Sequence, residues 1–279
     1  MQTDVRLRIL VSKLSTSIAI LDDTAQQSIQ PSSSRQTIVF LHGWGGSIDS
    51  FIYIAKALST KYRCILIDLV GHGKTDYPNA PFTIYDYAEH TLEVLKALQV
   101  DNTYIVAHSF GGRIALLLSA YHPALIKKQI LTGCAGIKPK RKLKVRLKIL
   151  QYKIAKRLVK LGLRKKCVLN KYGSKDYKAL TPARPSNSVH TKKPCQTATD
   201  NLKKSFISVV NHDLTRYLKY IDTPTLLVWG KNDVDTPIYM AHKLNKHIKD
   251  SGLIVYEGDH FAYLQNANAF IKVTKHFFD

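Results

Sequence analysis

The amino-acid sequence predicts an α/β fold: a mostly parallel central sheet with helices on both faces and an inserted basic helical segment. Three observations predict it. Short, continuous apolar runs alternate along the chain with helix-length amphipathic segments, and strands with no polar face belong to sheets covered on both sides. The chain has 279 residues, 45% hydrophobic and 22% charged, which suits one large domain or a domain with an insertion and excludes disorder throughout. Charge then locates the insertion. The formal net charge is +22, yet residues 138–204 hold 22 of the 42 Lys and Arg and only two acids, Asp176 and Asp200. The remainder is nearly neutral, so residues 1–137 and 213–279 are expected to form the core and 138–212 the insertion.

The elements follow in order. Residues 5–11 (VRLRILV) and 16–21 alternate apolar with polar side chains, as two short strands of a hairpin-like edge do. After the polar stretch TAQQSIQPSSSRQ, TIVFLHG (37–43) reads as a buried strand and FIYIAKALSTKY as a helix. CILIDLVG (64–71) is the next strand, and IYDYAEHTLEVLKAL the next helix, with Thr83 and Asp86 as its start signals. TYIVAHS (103–109) runs directly into the helix FGGRIALLLSAYH, and QILTGCAG (129–136) follows as a strand. Beyond the basic segment come the strand TLLVWG (225–230), the helix IYMAHKLNKHI, the strand GLIVYEG (252–258) and the helix ANAFIKVTKHFF. In such sheets ligands bind beyond the carboxyl ends of the strands, which is where reactive residues are to be sought.

Several classes are disfavoured before any motif is read. No stretch approaches the roughly 18 to 20 apolar residues that span a bilayer, and the N-terminal residues lack a secretory h-region and cleavage site, so a cytoplasmic protein is expected. Cys64, Cys134, Cys167 and Cys195 are widely spaced and form no CxxC pair. They suggest reduced thiols, Cys64 and Cys134 buried, in place of a zinc site or disulfide framework.

Four strand ends carry candidate chemistry. In AHSFGG, Ser109 stands between a strand and a helix, with Ala107 two residues before it and Gly111 and Gly112 after it. Small neighbours permit a sharp turn that lifts the hydroxyl and aims a helix N-terminus at it; the plain alternative is a helix start with glycines for close packing. HGWGG (42–46) leaves backbone amides free to meet an oxyanion, or is simply a Gly-rich turn. WGKNDVDTP (229–237) offers Asp233, with Asp235 as its competitor, and GDHFAYL (258–264) offers His260, with Asp259 beside it. No Asp or Glu occurs between Asp101 and Asp176, so the strand after the nucleophile helix supplies no acid. Together these give Ser, Asp and His in that chain order, each after a strand.

With these motifs the chain resembles the α/β-hydrolase superfamily, in particular small bacterial serine hydrolases with an HGWGG-type oxyanion turn; the likeness covers residues 37–137 and about 206–279. The resemblance implies Ser109 as nucleophile, His260 as general base and then acid, and Asp233 as the carboxylate that orients the ring. It implies an oxyanion held by the amides of Phe110 and Trp44, and a carboxylic ester or related acyl substrate. It makes GHGKTD (71–76) a structural turn at the pocket wall. Neither metal nor organic cofactor is expected, because His42, His72 and His108 show no ligand spacing and suit hydrogen-bonded supporting roles. An acyltransferase, an aminopeptidase or a carbon–carbon bond hydrolase would use the same triad, and a non-catalytic binding protein on this scaffold is the alternative of another class.

The basic segment falls where this family inserts its cap. Leu143, Leu147, Leu150, Ile154, Leu158 and Leu161 recur at helical spacing among Lys and Arg, a basic amphipathic helix. Its apolar face is expected to roof the acyl pocket, with contact to an anionic membrane surface or an acidic partner as the alternative. Nucleic acid is the weakest reading, since no RRM, KH or helix-turn-helix pattern accompanies the charge. Residues 181–199, with three Pro and no carboxylate, read as a long mobile loop.

Overall fold

The computed structural model describes residues 3–22, 35–138 and 196–279, together with 151, 154, 155, 157–159, 161 and 162. Eight strands form one sheet: β1 (Thr3–Val11), β2 (Leu14–Asp22), β3 (Thr37–Leu41), β4 (Arg63–Ile67), β5 (Thr103–His108), β6 (Ile126–Thr132), β7 (Thr225–Gly230) and β8 (Ser251–Tyr256). Their order is β1-β2-β4-β3-β5-β6-β7-β8. β1 and β2 form the antiparallel edge hairpin, turned at Ser12 and Lys13, both with positive φ as a two-residue type I′ turn requires. β2 pairs antiparallel with β4, and from β4 to β8 every pairing is parallel.

The helices are α1 (Ile52–Leu58), α2 (Ile84–Ala97), α3 (Phe110–Tyr121), α4 (Gln196–Asn211), α5 (Tyr239–His247), α6 (Ala262–Gln265) and α7 (Ala267–Phe278). Thr83 starts α2 as expected: its hydroxyl accepts from the Asp86 amide while the Asp86 carboxylate accepts from the Thr83 amide. Such a reciprocal cap is worth about 1 kcal/mol. α4 was not foreseen, and its first residues, 196–199, fall in the expected loop; the rest of 181–199 lies outside the described residues. Tertiary packing holds it. Leu202 meets Gly71, Ser205 Oγ accepts from the Phe82 amide at 2.7 Å, and Phe206 packs on Trp44 with ring centroids 5.0 Å apart.

Alternation along each strand divides the core into two layers. Val39 and Leu41 of β3 join Ile65, Ile67, Ile105 and Leu131 under α2, α3 and α5. Ile38 and Phe40 point the other way, joining Cys64, Leu66, Val106 and Ile130 under α1 and α7. Cys64 and Cys134 are free and buried; Cys167 and Cys195 lie outside the described residues.

The chain divides into two compact units, Met1–Lys138 with Pro185–Asp279, and Pro139–Arg184. The first contains the whole sheet and α4. In the second, the described residues between 151 and 159 are helical. Of the apolar stripe, Ile154 is 51% and Leu161 63% exposed, Leu158 is half-buried, and Leu143, Leu147 and Leu150 lie outside the described residues.

β3 pairs with β4 on one side and β5 on the other, so the chain leaves β3 in one direction and returns on the opposite side. This switch point opens a crevice at the carboxyl ends of β3 and β5. The HGWGG turn and Ser109 stand on its two sides.

Candidate active site

Ser109 follows β5 with φ 49° and ψ −104°, a left-handed conformation that costs a non-glycine residue free energy. Packing enforces it. The Ser109 amide donates to Thr132 O at 2.9 Å and its carbonyl accepts from the Ala135 amide at 3.1 Å, which ties the turn to the end of β6. The expected need for small neighbours has a measurable basis: a Cβ on Gly111 would lie 2.2 Å from Leu41 O, and one on Gly112 would lie 2.6 Å from Cys134 Sγ. α3 starts at Phe110, and its first backbone N–H groups have no acceptor within the helix.

The HGWGG turn packs against the Ser109 turn. A Cβ on Gly43 would be 2.8 Å from the His108 ring and 3.4 Å from Ser109 Cβ, so only glycine lets the Gly43–Trp44 backbone come this close. His42 fixes the turn. Its Nε2 accepts from the Leu69 amide at 3.0 Å, so Nδ1 carries the proton and donates to Gly43 O at 2.7 Å. Burial lowers its pKa to about 4, which keeps the ring neutral and this tautomer in place.

The GHGKTD turn is held by Asp68. Asp68 accepts from the Ile48 and Lys74 amides at 2.8 and 2.9 Å, joining this turn to the segment after HGWGG. Gly73, at φ +52°, leaves room for that carboxylate, which a Cβ would approach to 2.1 Å. His72 donates from Nδ1 to Val70 O at 2.9 Å and packs edge-on against Trp44, with centroids 4.6 Å apart. Burial, then the nearby His42, lowers its pKa to about 3. Trp44, Phe110, Tyr87 and Phe206 complete an aromatic wall.

β7 and β8 bring in the acid and the histidine. His260 Nδ1 donates to Asp233 Oδ2 at 2.8 Å, with the Asp233 side chain fully buried and His260 10% exposed. Asp235 does not compete: it is exposed, and its amide donates to Asp233 Oδ1 at 2.9 Å. Asp259 instead accepts from the Phe261 amide at 2.8 Å. Burial pushes the Asp233 carboxyl up, but hydrogen bonds from His260 and from the Thr236 amide and hydroxyl outweigh it, and the net shift is downward. Asp233 therefore stays ionised.

His260 reaches Ser109's neighbourhood through Gly133 and His108. Gly133, one residue beyond Thr132 and at φ +48°, lies against the His260 ring, where a Cβ would stand 3.0 Å from Nδ1. The His108 and His260 rings are 4.6 Å apart between centroids. His108 Nδ1 bonds Thr132 O and Oγ1 at 3.1 and 3.0 Å, and burial, then His260, lowers its pKa to about 3.

All five expected site residues thus stand beyond the carboxyl ends of the parallel strands: His260 is bonded to Asp233, Trp44 packs on Phe110, and Ser109 is linked to the His260 ring through His108 and Gly133. Sequence reasoning missed Thr236, whose Oγ1 is 2.7 Å from Asp233 Oδ2; its position three residues after the acid was the available signal. Asp233, Asp235 and His260 offer ligand atoms within 4.8 Å of one another. Asp233 and His260 Nδ1 already bond each other, so a cation would have to displace that contact. Among the described residues no helix is long and apolar enough to cross a membrane.

Comparison with known proteins agrees with this architecture. A 2-hydroxy-6-oxo-6-(2'-aminophenyl)hexa-2,4-dienoic acid hydrolase of Metapseudomonas resinovorans is 27% identical over 87% of this chain and 83% of its own. A pimeloyl-[acyl-carrier protein] methyl ester esterase of Wigglesworthia glossinidia brevipalpis is 25% identical over 88% and 94%. The crystal structure of an enol-lactonase from Burkholderia xenovorans superposes with a TM-score of 0.72 at 18% identity, covering 98% of this chain and 99% of that one. The model of the alpha/beta hydrolase fold matches residues 36–267, and the chain belongs to that family.

Proposed function

We propose that the protein is a serine hydrolase that cleaves a carboxylic ester or related acyl compound through an acyl-enzyme. Ser109 Oγ attacks the acyl carbon while His260 Nε2 takes its proton. Asp233 holds the ring in the Nδ1–H tautomer and stabilises the imidazolium. The amides of Trp44 and Phe110 hold the oxyanion, the latter at the positive end of α3. On collapse the acyl–oxygen bond breaks and His260 returns the proton to the leaving alcohol; water then repeats the sequence and releases the acid.

The observation that carries this reading is the 2.8 Å His260–Asp233 hydrogen bond, set beside a serine in a strained strand-to-helix turn. Similarity to a methyl ester esterase supports an ester, and the comparable similarity to a dienoic acid hydrolase makes carbon–carbon bond cleavage the first of the other uses of the triad. We further propose 138–212 as the cap, with α4 as the part that packs within the larger compact unit. Its basic residues are proposed to meet an anionic surface, and the protein to act in the cytoplasm on a small-molecule substrate.

A fluorophosphonate probe tests the chemistry. Wild type should label and Ser109→Ala should not, with hydrolysis of p-nitrophenyl butyrate falling roughly 10⁴-fold or more. Folded wild type that neither labels nor turns over any ester would favour a non-catalytic binding protein. Labelling without ester turnover would favour one of the other uses of the triad.

A further inference from the structure

The Asp233–His260 pair has a third member. Thr236 Oγ1 lies 2.7 Å from Asp233 Oδ2, 3.1 Å from Gly133 O and 3.3 Å from His260 Nδ1. A threonine hydroxyl has one proton to place. His260 Nδ1 already donates to Oδ2, so a hydroxyl proton aimed at Nδ1 would set two donors head to head. A proton aimed at Gly133 would leave Oγ1 and the carboxylate lone pair to lone pair at 2.7 Å, a distance that an intervening hydrogen explains. The proton therefore points to Asp233.

Four donors then saturate the carboxylate. The amides of Asp235 and Thr236 serve Oδ1 at 2.9 and 2.8 Å, and Thr236 Oγ1 and His260 Nδ1 share Oδ2. The loop is anchored from below, because the buried Trp229 indole donates to Thr236 O at 2.6 Å.

We propose, resting on the triad reading, that Thr236 is a positioning residue: by donating to Oδ2 it aims the Asp233 carboxylate and limits how strongly Asp233 holds the His260 ring. The charged and titratable groups around His260 are Asp233, the exposed Asp235, the neighbouring Asp259 and the neutral His108. Thr236→Val removes one of the two donors on Oδ2 and leaves these others in place. The imidazolium then takes a larger share of the carboxylate's charge and is harder to deprotonate, while the carboxylate loses one restraint on its rotation.

The test is the pH dependence of fluorophosphonate labelling and of p-nitrophenyl butyrate hydrolysis in wild type, Thr236→Val and Thr236→Ser. In Thr236→Val the acid limb of kcat/KM should move up by about half to one pH unit, kcat should fall about tenfold and KM should hold. Thr236→Ser should restore both to within about twofold. A merely structural role would lower the unfolding midpoint without moving the acid limb. Titration of His260 by NMR in the Ser109→Ala background reads the same shift without turnover, and Thr236→Ala serves if the valine variant does not fold. An unshifted His260 titration, or a serine variant as impaired as the valine one, overturns the proposal. Labelling that persists in Ser109→Ala would instead sink the triad reading, and the NMR titration would still decide what Thr236 does.

Discussion

Lowering the pH from 7 to 5 should cost this protein several kcal/mol of stability, and the cause can be traced to four buried imidazoles. Burial lowers the pKa of His42 and His90 to about 4 and of His72 and His108 to about 3. A histidine with a depressed folded pKa adds stability above its unfolded pKa of about 6.5 and loses it as pH falls toward the folded value. At pH 5 the unfolded chain has protonated nearly all such rings while the native state keeps them mostly neutral. Each then costs roughly 2 kcal/mol relative to pH 7, and the four together roughly 7, against about 5 to 15 kcal/mol for a typical domain. Asp68, whose carboxyl is raised by burial, acts in the opposite direction and trims the total. Asp233 and Asp213 have lowered pKa values, so their contributions fade only at more acid pH. Urea unfolding followed by far-UV circular dichroism at pH 7, 6, 5.5 and 5 measures the loss. His90 is the informative substitution because it sits on α2, bonded to Thr16 Oγ1 at 3.2 Å, and has no role in the proposed chemistry. His90→Gln should flatten the pH slope by up to about 1.4 kcal/mol per pH unit. Stability that stays within about 1 kcal/mol from pH 7 to 5, or a slope indifferent to His90→Gln, would refute the reasoning.

Asp233→Asn should leave the protein folded but cut kcat by roughly 10³ to 10⁴, since the amide misdirects the imidazole tautomer; activity near wild type would move the acid elsewhere. Gly111→Ala should be poorly folded or inactive, because its Cβ would sit 2.2 Å from Leu41 O; normal urea midpoints with full labelling would show that the turn relaxes freely. Gly73→Ala combines a positive φ with a clash against Asp68 and should cost about 2 to 3 kcal/mol in urea unfolding, an effect absent if that turn is pliable. Co-sedimentation with phosphatidylserine vesicles should fall steeply between low and physiological salt if the basic segment meets an anionic surface; binding that ignores salt argues against it.

The fold was legible because its signals are local. Continuous apolar runs such as TIVFL and CILI, too short for a helix of ordinary length and rich in β-branched residues, read as strands buried on both faces, and Thr83 and Asp86 mark a helix start without tertiary help. Ser109, Asp233 and His260 stood out as candidates for a related reason, since each lies within four residues of the carboxyl end of a parallel strand. α4 was not, because QTATDN carries helix-poor Thr and Asp and its stability comes from Leu202, Ser205 and Phe206 meeting residues over a hundred positions away. The choice of Asp233 over Asp235 rested on the family resemblance alone. Two acids two residues apart differ only in which one the loop turns inward, and Trp229 and Thr236 settle that through contacts no spacing rule encodes.

The same residues tie the acid lability to the site. Three of the four buried histidines with depressed pKa values, His42, His72 and His108, surround the Ser109 turn and the HGWGG turn, where each spends Nδ1 on a carbonyl or hydroxyl oxygen. Protonating His42 would remove the acceptor that holds the Leu69 amide and release one side of the HGWGG turn. Protonating His108 would put a cation 4.6 Å from the ring that must itself become cationic in the proposed reaction. A neutral, buried set of supports is what lets one buried carboxylate act on one imidazole without competition. Activity should therefore fail at or above the pH at which the fold does: variants that relieve the buried imidazoles remote from the site, such as His90→Gln, should extend acid stability without extending the acid limb of activity.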